Sequence, residues 1–254
     1  MSGFREQKTA ALIACHLLWR ELSAVMVQSN LKIMPIFFEQ GLHDQPNRLQ
    51  QKLQAQIDVL DSQFDYILLG YGLCSNGIAG LKTKHAKLVV PRAHDCITLL
   101  LGSKEHYQSY FDANPGTYWY SQGWLETGSL PSLERLAEKH RQFMDQYEDQ
   151  ETADYLIDEE WRWIRDYQKA CLILEPELPA NPDHVAELKA FTSQSTRDLG
   201  WAQDEQQGTL QLFRELVNQP WDPSRFLLVE PGHHLEPSFD TLIIKSVRDA
   251  DQSL

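Results

Sequence analysis

The chain alternates compact apolar runs with segments whose apolar residues recur every three or four positions. Ala10–Ala14 predicts a buried strand, and the segment from about His16 to Ser29 places Leu17, Leu18, Leu22 and Val25 at helical spacing. Lys32–Phe38 predicts a second strand. Asn47–Leu60 repeats Leu49, Leu53, Ile57 and Leu60 as a helix, while Asp65–Gly70 and Leu88–Pro91 predict a third and a fourth strand. Strands alternating with helices call for a parallel sheet, because parallel neighbours need crossover connections rather than tight hairpins. The expected fold is therefore α/β and Rossmann-like, a mainly parallel sheet flanked by helices, in a single domain over 1–254.

Residues 130–168 break the rhythm. Between Glu134 and Glu160 ten acidic residues face three basic ones, a net of −7 within a chain whose total is −13. This predicts an acidic helical insertion of one or two surface helices, with Trp161, Trp163 and Ile164 as its packing face. Beyond it, Ala170–Leu174 and Arg225–Val229 predict strands, Asp183–Thr192 and Gly208–Asn218 predict helices, and Leu242–Lys245 predicts an edge strand before a polar tail. Two of these strands end alike, in Leu174-Glu175-Pro176 and Val229-Glu230-Pro231, which matches buried strands stopped by a proline.

The charge argues against broad affinity for nucleic acid or an anionic membrane. No run approaches the ~20 apolar residues of a membrane span, and Thr9–Cys15 is too short and too closely flanked by charge for a secretion signal. Four scattered cysteines, Cys15, Cys74, Cys96 and Cys171, do not make a disulfide scaffold, so reduced thiols in a cytoplasm are expected.

Open α/β sheets bind ligands beyond the carboxyl ends of their strands. Cys15 follows the first predicted strand, His43 the second, Cys74 the third, and His94 with Cys96 the fourth; His233 and His234 follow the strand ending at Val229. All are expected on one edge. Thiolates and imidazole are the donors preferred by zinc and other borderline-soft ions, so Cys15, Cys74, His94 and Cys96 form a candidate metal site. Inert buried cysteines, a metal-free reactive thiol and an iron–sulfur cluster on three cysteines are the alternatives. Cys171 sits within a strand and reads as core.

Around this site, His43, Arg92, Tyr118 and His233 are candidate substrate-binding residues, with Arg92 suited to a carboxylate or phosphate and Tyr118 within an aromatic run, Pro115–Trp124. That run reads equally as a core strand. Glu175 and Glu230, each at a strand end, are candidate general bases or turn caps. Gly70-Tyr71-Gly72 is neither a dinucleotide fingerprint nor a P-loop, and no Gly-x-Ser-x-Gly elbow is present.

His94-x-Cys96 with a distant cysteine resembles the zinc site of enzymes that pass a methyl group from a corrinoid to a thiol. The wider combination of Leu42–Pro46, Tyr71–Gly77, Pro91–Cys96 and Pro115–Tyr118, after an early cysteine, resembles an uncharacterised domain-of-unknown-function family of methanogenic archaea and bacteria. The likeness spans roughly residues 9 to 235. It implies an association with corrinoid-dependent methyltransferases, and no catalytic residues come with it. The function expected is a zinc-type metal-binding protein that takes a small-molecule ligand, as an enzyme activating a thiol or transferring a methyl group. The alternatives are a protein handling metal or corrinoid for a methyltransferase partner, an iron–sulfur protein, and a module docking through its acidic helices.

Overall fold

The computed structural model describes residues 7–127, 130–178 and 182–249. In chain order its elements are β1 (Thr9–Cys15), α1 (Trp19–Met26), β2 (Lys32–Phe38), α2 (Pro46–Leu60), β3 (Tyr66–Gly70), β4 (Lys87–Pro91), α3 (Cys96–Leu101) and α4 (Lys104–Ala113). Then follow β5 (Thr117–Tyr120), α5 (Gln122–Thr127), α6 (Leu133–Tyr147), α7 (Gln150–Trp161), β6 (Lys169–Leu174), α8 (Pro182–Leu199) and β7 (Ala202–Gln207). The last are α9 (Gln211–Leu216), β8 (Phe226–Val229), β9 (His233–Pro237) and β10 (Ile244–Arg248). The class is mixed α/β with mainly parallel pairing. Among the described residues no helix is long and apolar enough to cross a membrane.

Where the sequence suggests one domain, the contacts gather into two compact units. The first joins the chain up to Tyr107 with Thr209 onward, and the second is Gln108–Gly208. The first holds a five-stranded sheet in the order β2-β1-β3-β4-β8, parallel except for β8. Alternate residues of its strands serve opposite faces. Ala11, Ile13, Ile67, Leu69, Leu88 and Val90 join Leu49, Leu53, Ile57 and Leu60 of α2 in one core. Pro46 opens α2, where a missing N–H costs no helical bond. Each fully buried Leu or Ile of this core contributes about 1.5–3 kcal/mol. The other face carries Leu12, Leu68 and Val89, all fully buried.

Two expectations change here. The predicted edge strand lies at Ile244–Arg248 and pairs antiparallel with β9 in a separate two-stranded sheet, which the sequence pattern hid because β9 is short and polar. The polar tail falls outside the described residues from 250 on. The two similar strand ends also fall in unlike settings, β6 being parallel to its neighbours and β8 antiparallel.

The second unit is a three-stranded parallel sheet in the order β5-β6-β7. Thr117–Tyr120 of the aromatic run forms β5, and its Trp124 falls in α5. Tyr118 sits 5.1–5.7 Å, ring to ring, from Tyr120, Trp163, Tyr167 and Trp201, so the aromatic segment is core in this unit. The acidic stretch makes α6 and α7, capped by Ser132 and Asp149 at their N-termini and tied by Lys139–Glu160 and His140–Asp154 pairs. No residue of α6 is buried, while Trp163 and Ile164 pack onto the aromatic core as their spacing suggests. Cys171 is fully buried.

Candidate functional site

In the first unit the chain steps from β1 out to β2, then returns across β1 to β3 and on to β4. The loops leaving β1 and β3 therefore part in opposite directions, and such a switch point is where open α/β sheets leave a crevice. Cys15 is the last residue of β1. Its neighbour Ala14 pairs with Gly70, the last residue of β3, and Tyr71 follows directly. Cys15, Tyr71 and Cys74 share the α2-side core, Cys15 and Cys74 as partly buried residues at its border.

The loops after β3 and β4 are fastened to each other. Leu73 N–H donates to the Ala93 carbonyl at 2.8 Å and Cys74 N–H to the His94 carbonyl at 2.9 Å. The approach is so close that a Cβ on Gly72 would stand 2.6 Å from the Asp95 nitrogen, which explains glycine there. Immediately afterwards Cys74, Ser75 and Asn76 all adopt left-handed backbone, with φ of 46°, 55° and 67°. Such conformations cost about 1–3 kcal/mol each for residues with a Cβ and gather at ligand sites and switches. Asp95 caps α3 by accepting from Thr98 N–H at 3.1 Å, and it accepts from the Tyr107 hydroxyl at 2.9 Å. Cys96, the next residue, is brought beside the same loops.

Burial raises all three thiols, and Cys15 lies close enough to act on the other two. Burial pushes Cys74 up to about 12, helped by the charges of Asp95 and Cys15. Cys96 is raised well above its ordinary value by burial, then by Asp95, Cys74 and Cys15, and Cys15 is raised by burial. All three are free thiols. Among the described residues no group of three or more His, Cys, Asp or Glu is arranged to hold a metal ion as it stands. The imidazole of His94 is exposed, and its carbonyl is committed to Cys74.

The other sequence candidates fall elsewhere or are engaged. His43 follows β2, half-exposed, with Nε2 3.3 Å from Asp44. Arg92 is spent on carbonyls: its Nε donates to Pro223 at 2.8 Å, and Nη1 donates to Leu242 at 2.9 Å and Ile244 at 2.5 Å. It ties down the C-terminal segment and is not presented to an anion. Glu230 and His233 lie at the opposite edge of the sheet. Because β8 runs antiparallel to β4, its carboxyl end sits beside the start of β4, where Glu230 pairs with Lys87 at 2.8 Å. The expectation of one shared edge assumed a parallel β8. Glu175 and Tyr118 belong to the second unit, where Glu175 accepts from Glu177 N–H at 2.9 Å and Tyr118 packs in the aromatic core.

Two site residues escape the sequence reading, Asp95 and Tyr71. Tyr71 was legible from the alternation Ile67, Leu69, Tyr71, which continues the α2-side face beyond the strand. Its ring is buried, and its hydroxyl has no hydrogen-bond partner among the described residues.

These features define a mainly parallel α/β protein with three thiols gathered at the switch point of its larger sheet. A family model described as a protein of unknown function (DUF1638) matches residues 37–217, and the chain belongs to that family. The match takes in Cys74, His94, Cys96 and the whole second unit, and it leaves Cys15 outside. No curated protein and no solved structure matches the chain.

Proposed function

We propose that this chain is a soft-metal-binding α/β protein of Rossmann-like strand order. Cys15, Cys74 and Cys96 would hold a zinc-type cation as thiolates, with the exposed His94 as a fourth donor. The observation that carries this reading is the gathering of three thiols at the switch point of a parallel sheet. Raised thiol pKa values make a metal-free nucleophile a poor fit, since the thiolate is the reactive form. A divalent cation supplies the opposing charge and releases the protons. Were His94 to give way to a substrate, a bound cation would supply Lewis-acid activation of a thiol or an oxygen; four fixed ligands would instead make the site structural. The acidic α6–α7 pair is, in this reading, a solvated insertion.

The test is elemental analysis of the full chain purified anaerobically, beside Cys74→Ser and Cys96→Ser. One equivalent of zinc in the parent, lost in both variants, is the expected result. Iron with acid-labile sulfide reassigns the three cysteines to a cluster. A parent that stays empty in the presence of zinc, cobalt and cadmium overturns the reading. Turnover of a methyl donor with a thiol acceptor by the loaded protein separates an enzyme from a carrier.

A further inference from the structure

We infer that the outer edge of β2 is a latent pairing surface for a second copy of this chain, and that Pro35 keeps it closed. This surface is independent of the three thiols.

The two larger sheets have four edge strands, β2 and β8 in one and β5 and β7 in the other. An edge strand presents unpaired N–H and C=O groups as a template for another chain, unless it is short, charged or interrupted by proline. β5 and β8 have four residues each, and β7 carries Asp204 and Glu205. β2 is seven residues long, and after Lys32 it reads Ile33-Met34-Pro35-Ile36-Phe37-Phe38, without a charge. None of its residues is buried, and Met34 is 39% exposed. Its proline apart, this is the composition of a segment that stacks on copies of itself. Charge is not open to the far half of the strand as a guard, because Ile36 and Phe38 pack on the α2-side core and Phe37 meets His16 edge to face.

The register fixes where the proline stands. Lys32 N–H donates to the Lys8 carbonyl at 2.9 Å, so the backbone groups of Lys32, Met34, Ile36 and Phe38 face β1. Those of Ile33, Pro35 and Phe37 face outward, where proline costs the sheet no hydrogen bond. The cost falls on a partner. Two copies of β2 laid antiparallel about a two-fold axis set Ile33 against Phe37 on either side and Pro35 against Pro35 at the centre. That central pair should exchange two N–H···O bonds and has no N–H to give, and each ring takes the space of a donor hydrogen.

The experiment compares the full chain with Pro35→Val and with the double variant Met34→Lys, Pro35→Val over a concentration series, by light scattering and amide hydrogen exchange. Valine restores the N–H and brings a β-branched side chain. In the parent the Ile33 and Phe37 amides should exchange fast and those of Met34 and Ile36 slowly. In Pro35→Val a species of twice the parent's mass should appear as concentration rises, and the Ile33 and Phe37 amides should slow in step with it. Lysine at position 34 charges the edge and should return the double variant to the parent's mass. Pro35→Ala restores the N–H with a smaller side chain and is read in the same way should the valine variant not fold. A folded variant that keeps the parent's mass at every concentration overturns the inference, as does association that leaves the Ile33 and Phe37 amides fast. Slow exchange of these two amides in the parent overturns it too, since the edge is then already paired.

Discussion

In the larger sheet β1 lies between β2 and β3, and the connections leaving β1 and β3 diverge. In the smaller sheet the order β5-β6-β7 follows the chain, so every crossover steps the same way. Both sheets are built mainly from parallel strands joined through helices, but only the first has a switch point. The residue types follow that difference. Cys15, Cys74 and Cys96 gather at the diverging ends, with three left-handed residues in one of the loops. The smaller sheet closes on Tyr118, Tyr120, Tyr167 and Trp201, and its cysteine, Cys171, is sealed within a strand. Parallel pairing alone therefore does not make a switch point; the winding order does.

The largest expected effect tests whether chemistry belongs to the first unit alone. Leu172→Ala in β6 removes a fully buried side chain and is expected to cost about 2–5 kcal/mol, read as a lower urea midpoint. Cation stoichiometry should survive under conditions where the variant remains folded, and its loss would break the contrast. Gly72→Ala comes next. A methyl group 2.6 Å from the Asp95 nitrogen must push two loops apart, and overpacking of this kind costs about 1–3 kcal/mol. Cobalt uptake should fall with it, and full affinity in a folded Gly72→Ala protein would show that the loop fastening does not shape the site.

Asp95→Asn sharpens the electrostatic side. Asparagine caps a helix about as well as aspartate, so stability should change by only a few tenths of a kcal/mol. Removing the negative charge lowers the pKa of Cys74 and Cys96, which Asp95 helps to raise. Alkylation of the metal-free protein at pH 8 to 9 should accelerate, and its pH profile should move to lower pH. An unchanged profile would place Asp95 too far from the thiols to matter.

The smallest effect concerns the far edge. His234 is raised above its ordinary value, first by its bond to Asp249 at 2.7 Å and then by Glu236 at 3.1 Å. A raised histidine contributes stability that is complete below its unfolded value and fades as pH rises through its folded value. His234→Asn should therefore lower the urea midpoint slightly at pH 5.5 and match the parent at pH 9. A difference that grows with pH, or any change in metal uptake, would erase the separation of the two edges.

Much of the fold was legible. The strands at Lys32–Phe38 and Ala170–Leu174 and the helix ending at Leu60 lie within a residue of their expected bounds, because apolar runs and a four-residue stripe are local properties. The polar strand Ala202–Gln207 was not legible, since it is an edge strand with four of its six residues exposed and none buried. The placing of Cys15, Cys74 and Cys96 at strand ends could be read locally too. The placing of Glu230 and His233 could not, for strand direction is set by pairing with β4 and leaves no mark on a four-residue apolar run.

By itself the sequence determined the elements of the first unit, the acidic character of α6 and α7, and which residue types stand beyond each parallel strand, because those depend on periodicity and spacing along the chain. Only the tertiary structure decided that the chain forms two units, that β8 runs backwards, that Arg92 is consumed by carbonyls, and that Tyr71 and Asp95 stand with the thiols. Each of these depends on which strands are neighbours, and neighbours in a sheet are chosen by packing between segments far apart in sequence.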